Sequence, residues 1–343
     1  MTMLHPAPAA TAGLAALHAL LSADAAPADG TPRRLAPRPD LFNTIVEQAR
    51  LAHFDTKTGR AIKYTTGAYA LGFQAAKAGE LYAAEAEFAR AEEILAHQQA
   101  DYSPQALAFL SCLTRPYWAY YYYRRGQFDT SVATTLSAVA SITELEGEIS
   151  IFHMARVQQL HNLSRVSFKR GDLDAGADLV HELLRYLAAG VPGTLPGSWA
   201  PALLHHTPPA LRAAMFSQIF LEMVAHLLRE PRASQRRHLF GRAFGPLASL
   251  AATVDFWPPF QAWLAAYEAL LTGEAPAYAP LLTACLAAPP DHHLDVLPLA
   301  LLLELHRSLP TLAAGPAASL RPLLPAYARR TLWLDERSLA LLA

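Results

Sequence analysis

Three short segments, Ala78-Gly79-Glu80-Leu81, Arg125-Gly126-Gln127-Phe128 and Arg170-Gly171-Asp172-Leu173, share one form: a glycine, one polar residue, then a large apolar residue. A helix commonly ends where the chain enters a left-handed conformation just past its last turn, and glycine adopts that conformation without a Cβ penalty. The apolar residue two positions later then packs back between the helices that the turn joins. A chain that repeats this device, with helical patterns on both sides of each turn, is constrained to fold as successive helix pairs.

Composition agrees. Ala and Leu dominate, β-branched residues are sparse and no stretch alternates in the manner of a strand. Apolar residues make up 52% and charged residues 17%, below the usual charged share of about 25%, so many exposed positions must be Ala, Leu, Ser or Gln. With 343 residues the chain is long enough for two globular domains or one elongated array. A net charge of -1, from 28 basic and 29 acidic residues, argues against bulk attraction to nucleic acid or to an anionic membrane. Cys112 and Cys285 are the only cysteines, too few for a disulfide framework or a zinc site, and the expected compartment is the reducing cytoplasm. The apolar stretch Ala9 to Leu21 lacks the preceding Lys or Arg of a secretion signal. The run Leu297 to Leu303, bounded by Asp295 and Glu304, falls far short of the roughly 20 residues that cross a bilayer.

Residues 22–38 are rich in Pro, Gly, Ala and charge, so 1–38 is expected to be a flexible N-terminal segment. Asp40 offers an N-cap for a helix over 41–53, and 55–59 turns the chain. Helices are then expected over 60–78, 81–98, 104–125, 128–145, 148–170 and 173–188, with Pro116 kinking or interrupting the third. Residues 191–209 read as a proline-rich loop. Helices resume over 210–229, 233–252 with a break at Gly245-Pro246, 258–272, 275–287, 292–307, 316–331 and 334–342. The domains expected are therefore 39–190 and 210–343.

Around the first turn, Leu71-Gly72, Gly79, Leu81, Ala84, Phe88 and Ala91 resemble a tetratricopeptide repeat, whose first helix carries Leu-Gly and whose second carries Ala-x3-Phe-x2-Ala. A second unit keeps Ala119, Tyr122, Gly126, Phe128 and Ala138, with Ser131 at the small position; a third keeps Leu163, Ser164, Gly171 and Leu173, with Gly176 there. The turn glycines lie 47 residues apart from 79 to 126 and 45 apart from 126 to 171, against a family period of about 34. A HEAT-like period of about 40 to 47 fits the spacing but not the turn signatures. The resemblance covers about residues 58–190. It implies an all-α fold: a right-handed stack of antiparallel helix pairs, an α-solenoid, followed here by a C-terminal helical bundle.

In that family the inner faces of the first helices line a concave groove, which implies a peptide-binding surface of Tyr69, Phe73 and Lys77; Tyr120, Tyr123 and Arg124; and His161, Arg165, Phe168 and Lys169. Aromatics there would supply contact area, and the basic groups would pair with carboxylates. A competing role exists for Lys77, Arg124 and Lys169, which lie two residues before each turn glycine and favour a helix C-terminus electrostatically. Within the run 117–123, Trp118 and Tyr122 are expected to pack inward and Tyr120 and Tyr123 to share the groove, while Tyr121 has no assignment.

No phosphate loop, nucleophile elbow or HExxH pattern occurs. The adjacent pairs His205-His206 and His292-His293 diverge in direction, unlike a helical zinc site. The expected function is a non-catalytic protein- or peptide-binding scaffold, without metal or cofactor, for a partner bearing acidic groups, with neither nucleic acid nor membrane as partner. The alternative is a ligand-responsive regulatory module acting through a partner, and an enzyme with a histidine metal site ranks last. The leucines of the C-terminal third, Leu301, Leu302 and Leu303 among them, span too much of a helix for one stripe. They demand either a packed bundle or a homodimer.

Overall fold

The computed structural model describes residues 8–23, 41–196, 199, 201–248, 250, 254–273, 275–288, 291–311, 318–333 and 336–342. They are helical, with no strand among the described residues. They divide into two compact units, one within 39–219 and the other formed by parts of 1–38 and 220–343.

The first described helix, α1 (Pro8–Ser22), belongs to the second unit. The first unit runs through α2 (Leu41–His53), α3 (Thr56–Ala78), α4 (Leu81–Gln98), α5 (Pro104–Arg124), α6 (Phe128–Leu145), α7 (Ile151–Arg170) and α8 (Leu173–Ala189). Side-chain caps fix the starts of three of these helices, among them α8, where Asp172 accepts from Ala175 N at 3.2 Å. Asp55 accepts a hydrogen bond from Thr58 N at 2.9 Å to open α3, and Ser103 accepts one from Ala106 N at 3.1 Å with Pro104 in the first turn of α5. Pro116 does not interrupt α5, which runs through it.

The three turns share one geometry. Gly79, Gly126 and Gly171 have φ of 89°, 74° and 85°, the left-handed region. In each turn the residue after the glycine donates back five residues, Glu80 N to Ala75 O, Gln127 N to Tyr122 O and Asp172 N to Ser167 O, at 2.9 to 3.0 Å. These bonds satisfy carbonyls that would otherwise be orphaned at the helix ends. The two helices of each pair then meet through small residues. Seven positions before each glycine stand Gly72, Ala119 and Ser164, and five positions after stand Ala84, Ser131 and Gly176, all buried. Ser131 Oγ donates to Ala119 O at 2.8 Å, a direct bond between the facing small positions. Phe88, buried and nine residues past its glycine, lies over Gly72 so closely that a Cβ there would come within 2.6 Å of the ring. Beyond the pairs, α3 packs on α5, α6 on α7, and α2 on both α3 and α7. Phe54, Phe109 and Phe152 continue this core edge to face at 5.1 and 5.2 Å.

After α9 (Pro201–His205) comes α10 (Pro209–Arg229), within which the division between the units falls. This helix is long and apolar enough to cross a membrane, but half of its most apolar stretch is buried inside the protein, including Phe216, Ile219, Phe220 and Leu227. The second unit continues through α11 (Ala233–Ala243), α12 (Gly245–Ala248), α13 (Pro258–Thr272), α14 (Ala275–Ala287), α15 (Val296–Ser308), α16 (Leu323–Thr331) and α17 (Glu336–Leu339). The expected break at Gly245 is present, because α11 ends at Ala243. Its core is aromatic, with Phe220, Phe244 and Phe260 around Trp263, which stacks on Tyr267 at 4.7 Å. Leu301, Leu302 and Leu303 are all buried within the chain, whereas Leu341 is exposed.

The reading of 1–38 as wholly flexible is corrected at its first half. Helix α1 packs on α14: Leu17 and Leu21 are buried, Gly13 sits against Ala279 and Pro280, and Arg330 donates to the Leu21 carbonyl at 2.7 Å. Small and apolar side chains suffice for this contact. Residues 24–40, with most of the expected linker, lie outside the described residues, as do Leu334 and Asp335 of the last expected helix.

The close approach at Gly72 generates a paired test. Gly72→Ala is expected to cost about 1 to 3 kcal/mol, because the Phe88 ring is itself clamped and cannot yield. Gly67→Ala, in the same helix with nothing within 4 Å of a new Cβ, is expected to gain about 0.5 to 1 kcal/mol. Urea unfolding of both variants measures the contrast.

Candidate functional site

The run 117–123 on α5 divides between two faces because successive helical residues turn by about 100°. Trp118, Tyr121 and Tyr122 face α4. Trp118 stacks on Phe88 at 4.6 Å and donates its Nε1–H to Glu92 at 3.0 Å; Tyr121 donates its hydroxyl to Glu85 at 2.8 Å. Tyr121, left without an assignment by the sequence, is the fully buried member of the run. Tyr117, Tyr120 and Tyr123 take the other face, where Phe73 of α3 stacks on Tyr117 at 4.7 Å and meets Tyr120 edge-on at 5.1 Å.

Of the residues expected in a groove, Phe73, Tyr120, Tyr123 and Arg165 are half-buried, and Lys77, Arg124 and Lys169 are exposed. Two are misplaced by the sequence reading. Tyr69 is 1% exposed, packed against Phe88, and its phenol is pushed up by burial and by its hydrogen bond to Glu92. His161 is likewise 1% exposed. Both stand on the correct helices but point into the packed side. Phe168 is also committed internally, since its ring lies over Gly176 and fills the space which that glycine leaves.

Arg124 serves the end of a neighbouring helix by a direct hydrogen bond. Its Nη1 donates to Lys77 O at 3.0 Å, the carbonyl end of α3, and to Tyr120 Oη at 3.1 Å. It therefore ties one helix pair to the next. Lys77 extends over the Phe73 ring at 5.5 Å, within cation–π range.

A cavity of about 300 Å³ opens beside this shelf, lined by Pro116, Tyr120, Tyr123, Thr135, Asn162 and Arg165 among others. It lies between α5, α6 and α7, and Arg165 donates to Asn162 Oδ1 at 2.7 Å on its wall. Asn162 and Pro116 were missed by sequence reasoning. Pro116 had a signal, since a proline retained inside a helix marks a position with some special use; Asn162 had none.

Nearby in the same unit lies a buried polar network. Glu146, 5% exposed, accepts from Arg156 at 2.7 Å and pairs with His153 Nδ1 at 3.1 Å. Arg156, 0% exposed, also donates to Pro196 O at 2.8 Å and lies 4.0 Å from the Trp199 ring centroid. The other nitrogen of His153 meets the Tyr186 hydroxyl at 2.5 Å. Every member is turned toward another, which describes a structural tie.

Among the described residues no group of three or more His, Cys, Asp or Glu side chains is placed to hold a metal ion. His205 and His206 are exposed. The two cysteines are poorly suited to nucleophilic chemistry, because burial pushes Cys112 up to about 12 and raises Cys285. No family model matches this chain, and neither a curated protein nor a solved structure matches it.

The network makes a stability prediction. Arg156→Ala removes the arginine from the buried Glu146 carboxylate, leaving it only His153, and is expected to cost about 3 to 5 kcal/mol, whereas Glu146→Leu combined with Arg156→Met costs less. Chemical denaturation of the two variants distinguishes them.

Proposed function

We propose that the 39–219 unit is a tetratricopeptide-like scaffold that binds an extended peptide or protein tail bearing acidic groups along the α3, α5 and α7 face. The observation that carries this reading is the convergence of Tyr120, Tyr123, Asn162 and Arg165 on one cavity of about 300 Å³. That volume is at the bottom of the small-molecule range of about 300 to 1,000 Å³ and suits a peptide's anchoring side chain. The shelf of Phe73, Tyr117 and Tyr120 beside it offers further contact area at low entropic cost. Lys77, Arg124 and Arg165 give the face a basic character that the nearly neutral chain lacks as a whole, which favours carboxylates. The matched turn geometry and buried small positions of the three helix pairs support the family reading. The period of 45 to 47 residues remains longer than that family's and reflects helices of 17 to 23 residues.

Tyr123→Ala and Arg165→Glu test the proposal best, because neither residue caps a helix as Arg124 does. Together they are expected to weaken capture of an acidic peptide by at least about tenfold, or 1.4 kcal/mol. Wild-type affinity should also fall as salt rises. Retention of full affinity by the double variant, measured by fluorescence anisotropy, would place the binding surface elsewhere.

A further inference from the structure

The second unit holds a larger cavity, of about 740 Å³, between α13, α14, α15 and α16. Its walls are mainly apolar, with Trp263, Leu297, Leu301 and Tyr327 buried and the small residues Ala262 and Ala284 exposed at the rim. The volume falls within the usual range of about 300 to 1,000 Å³ for small-molecule sites.

One charged group stands out on that wall. Asp295 is 4% exposed, and its Oδ2 accepts from His292 Nδ1 at 3.0 Å and from Trp333 N at 2.6 Å. Its Oδ1 has no hydrogen-bond partner among the described residues, and no Lys or Arg there forms an ion pair with the carboxylate. His292 in turn lies flat on Trp333, centroids 3.8 Å apart and planes 10° apart, so the hydrogen-bonded imidazole and the indole hold the carboxylate in place. A carboxylate on the cavity wall with one oxygen not taken up by a protein donor offers an acceptor to a donor that enters the cavity.

The other ionisable groups on the wall decide the sign of what fits. Arg330 is its one arginine; its Nη2 donates to the Leu21 carbonyl of α1 at 2.7 Å, and its Nε is buried with no hydrogen-bond partner. Asp291 is a second carboxylate, accepting from His293 N at 3.1 Å. Cys285 and Tyr327 also line the space; burial favours the neutral form of both, and the Tyr327 hydroxyl donates to Leu286 O at 2.7 Å. Two carboxylates therefore face one arginine. An anionic ligand would meet unfavourable charge, while a cation would complete Asp295.

We infer that this cavity is a binding site for a small organic cation, an apolar body carrying one protonated amine that donates to Asp295 Oδ1. The inference is independent of the peptide surface on α3, α5 and α7, and neither depends on the other.

Isothermal titration of the full chain near neutral pH with 4-phenylbutylamine, and separately with 4-phenylbutanoic acid, tests it. The two probes share an apolar body and differ in the sign of the head group. The amine is expected to bind saturably and at least about tenfold more tightly than the acid. Asp295→Asn keeps an acceptor for Trp333 N and is expected to bring the two affinities within about twofold of each other. Ala284→Trp fills the cavity from its exposed rim, leaves Asp295 untouched and is expected to abolish binding of the amine; it keeps the test intact if the Asn variant fails to fold. Equal or tighter binding of the acid, an undiminished amine preference in folded Asp295→Asn, full binding by Ala284→Trp, or no saturable binding of the amine below millimolar concentration would each overturn the assignment.

Discussion

Close contact between paired helices is the constraint on which the first unit depends. Two helices approach through Gly72 and Ala84, Ala119 and Ser131, or Ser164 and Gly176 only if the turn joining them reverses the chain within two residues. The left-handed glycines at 79, 126 and 171 make that reversal possible without strain. Once the backbones are that close, the large side chains have fixed destinations. Phe88 must lie over Gly72, Trp118 must stack on Phe88, and the aromatic run of α5 must split between two faces. The aromatic shelf and the cavity beside it follow from this division.

Each unit also buries an arginine–glutamate pair. In the first it is Arg156 with Glu146; in the second, Arg236 donates to both oxygens of Glu304 at 2.8 and 2.9 Å and to the carbonyls of Glu230 and Pro231 beyond the end of α10. Burying such charges is expensive, so these pairs add little net stability. Their effect is directional. A misplaced helix would leave a charge unpaired, and the rigid fork of arginine accepts few alternative arrangements. Tyr267, whose phenol is pushed up by burial, stays a neutral donor toward Glu304 and completes that set.

The two candidate surfaces differ in kind. The face of α3, α5 and α7 is aromatic and basic, with a pocket the size of one anchoring side chain, as suits a chain laid across it. The cavity of the second unit is more than twice as large, mainly apolar, and carries a buried carboxylate held through one oxygen by His292 and the Trp333 backbone. Neither arrangement presents an activated nucleophile. Cys285 shares the larger cavity with His292, but burial disfavours its thiolate.

Local chemistry made much of the helical framework legible in the sequence. The spans Leu81–Gln98, Phe128–Leu145 and Pro258–Thr272 were readable because glycine turns and an N-terminal proline act within a few residues. So was the placement of Phe73, Tyr120, Tyr123 and Arg165 on helices that meet. Periodicity shows that a helix has an inward side but does not show which neighbour covers it. Tyr69 and His161 were therefore assigned to a groove and are buried, while α1 was read as loose and is docked. The cavity lay beyond sequence reasoning for the same reason. Its carboxylate at 295 is held by a backbone N–H at 333, and its arginine at 330 bonds to a carbonyl at 21. Such contacts are chosen by how distant helices pack, which no local pattern encodes. The sequence by itself determined the helices and their turns; only the tertiary structure decided which faces closed on one another and which stayed open.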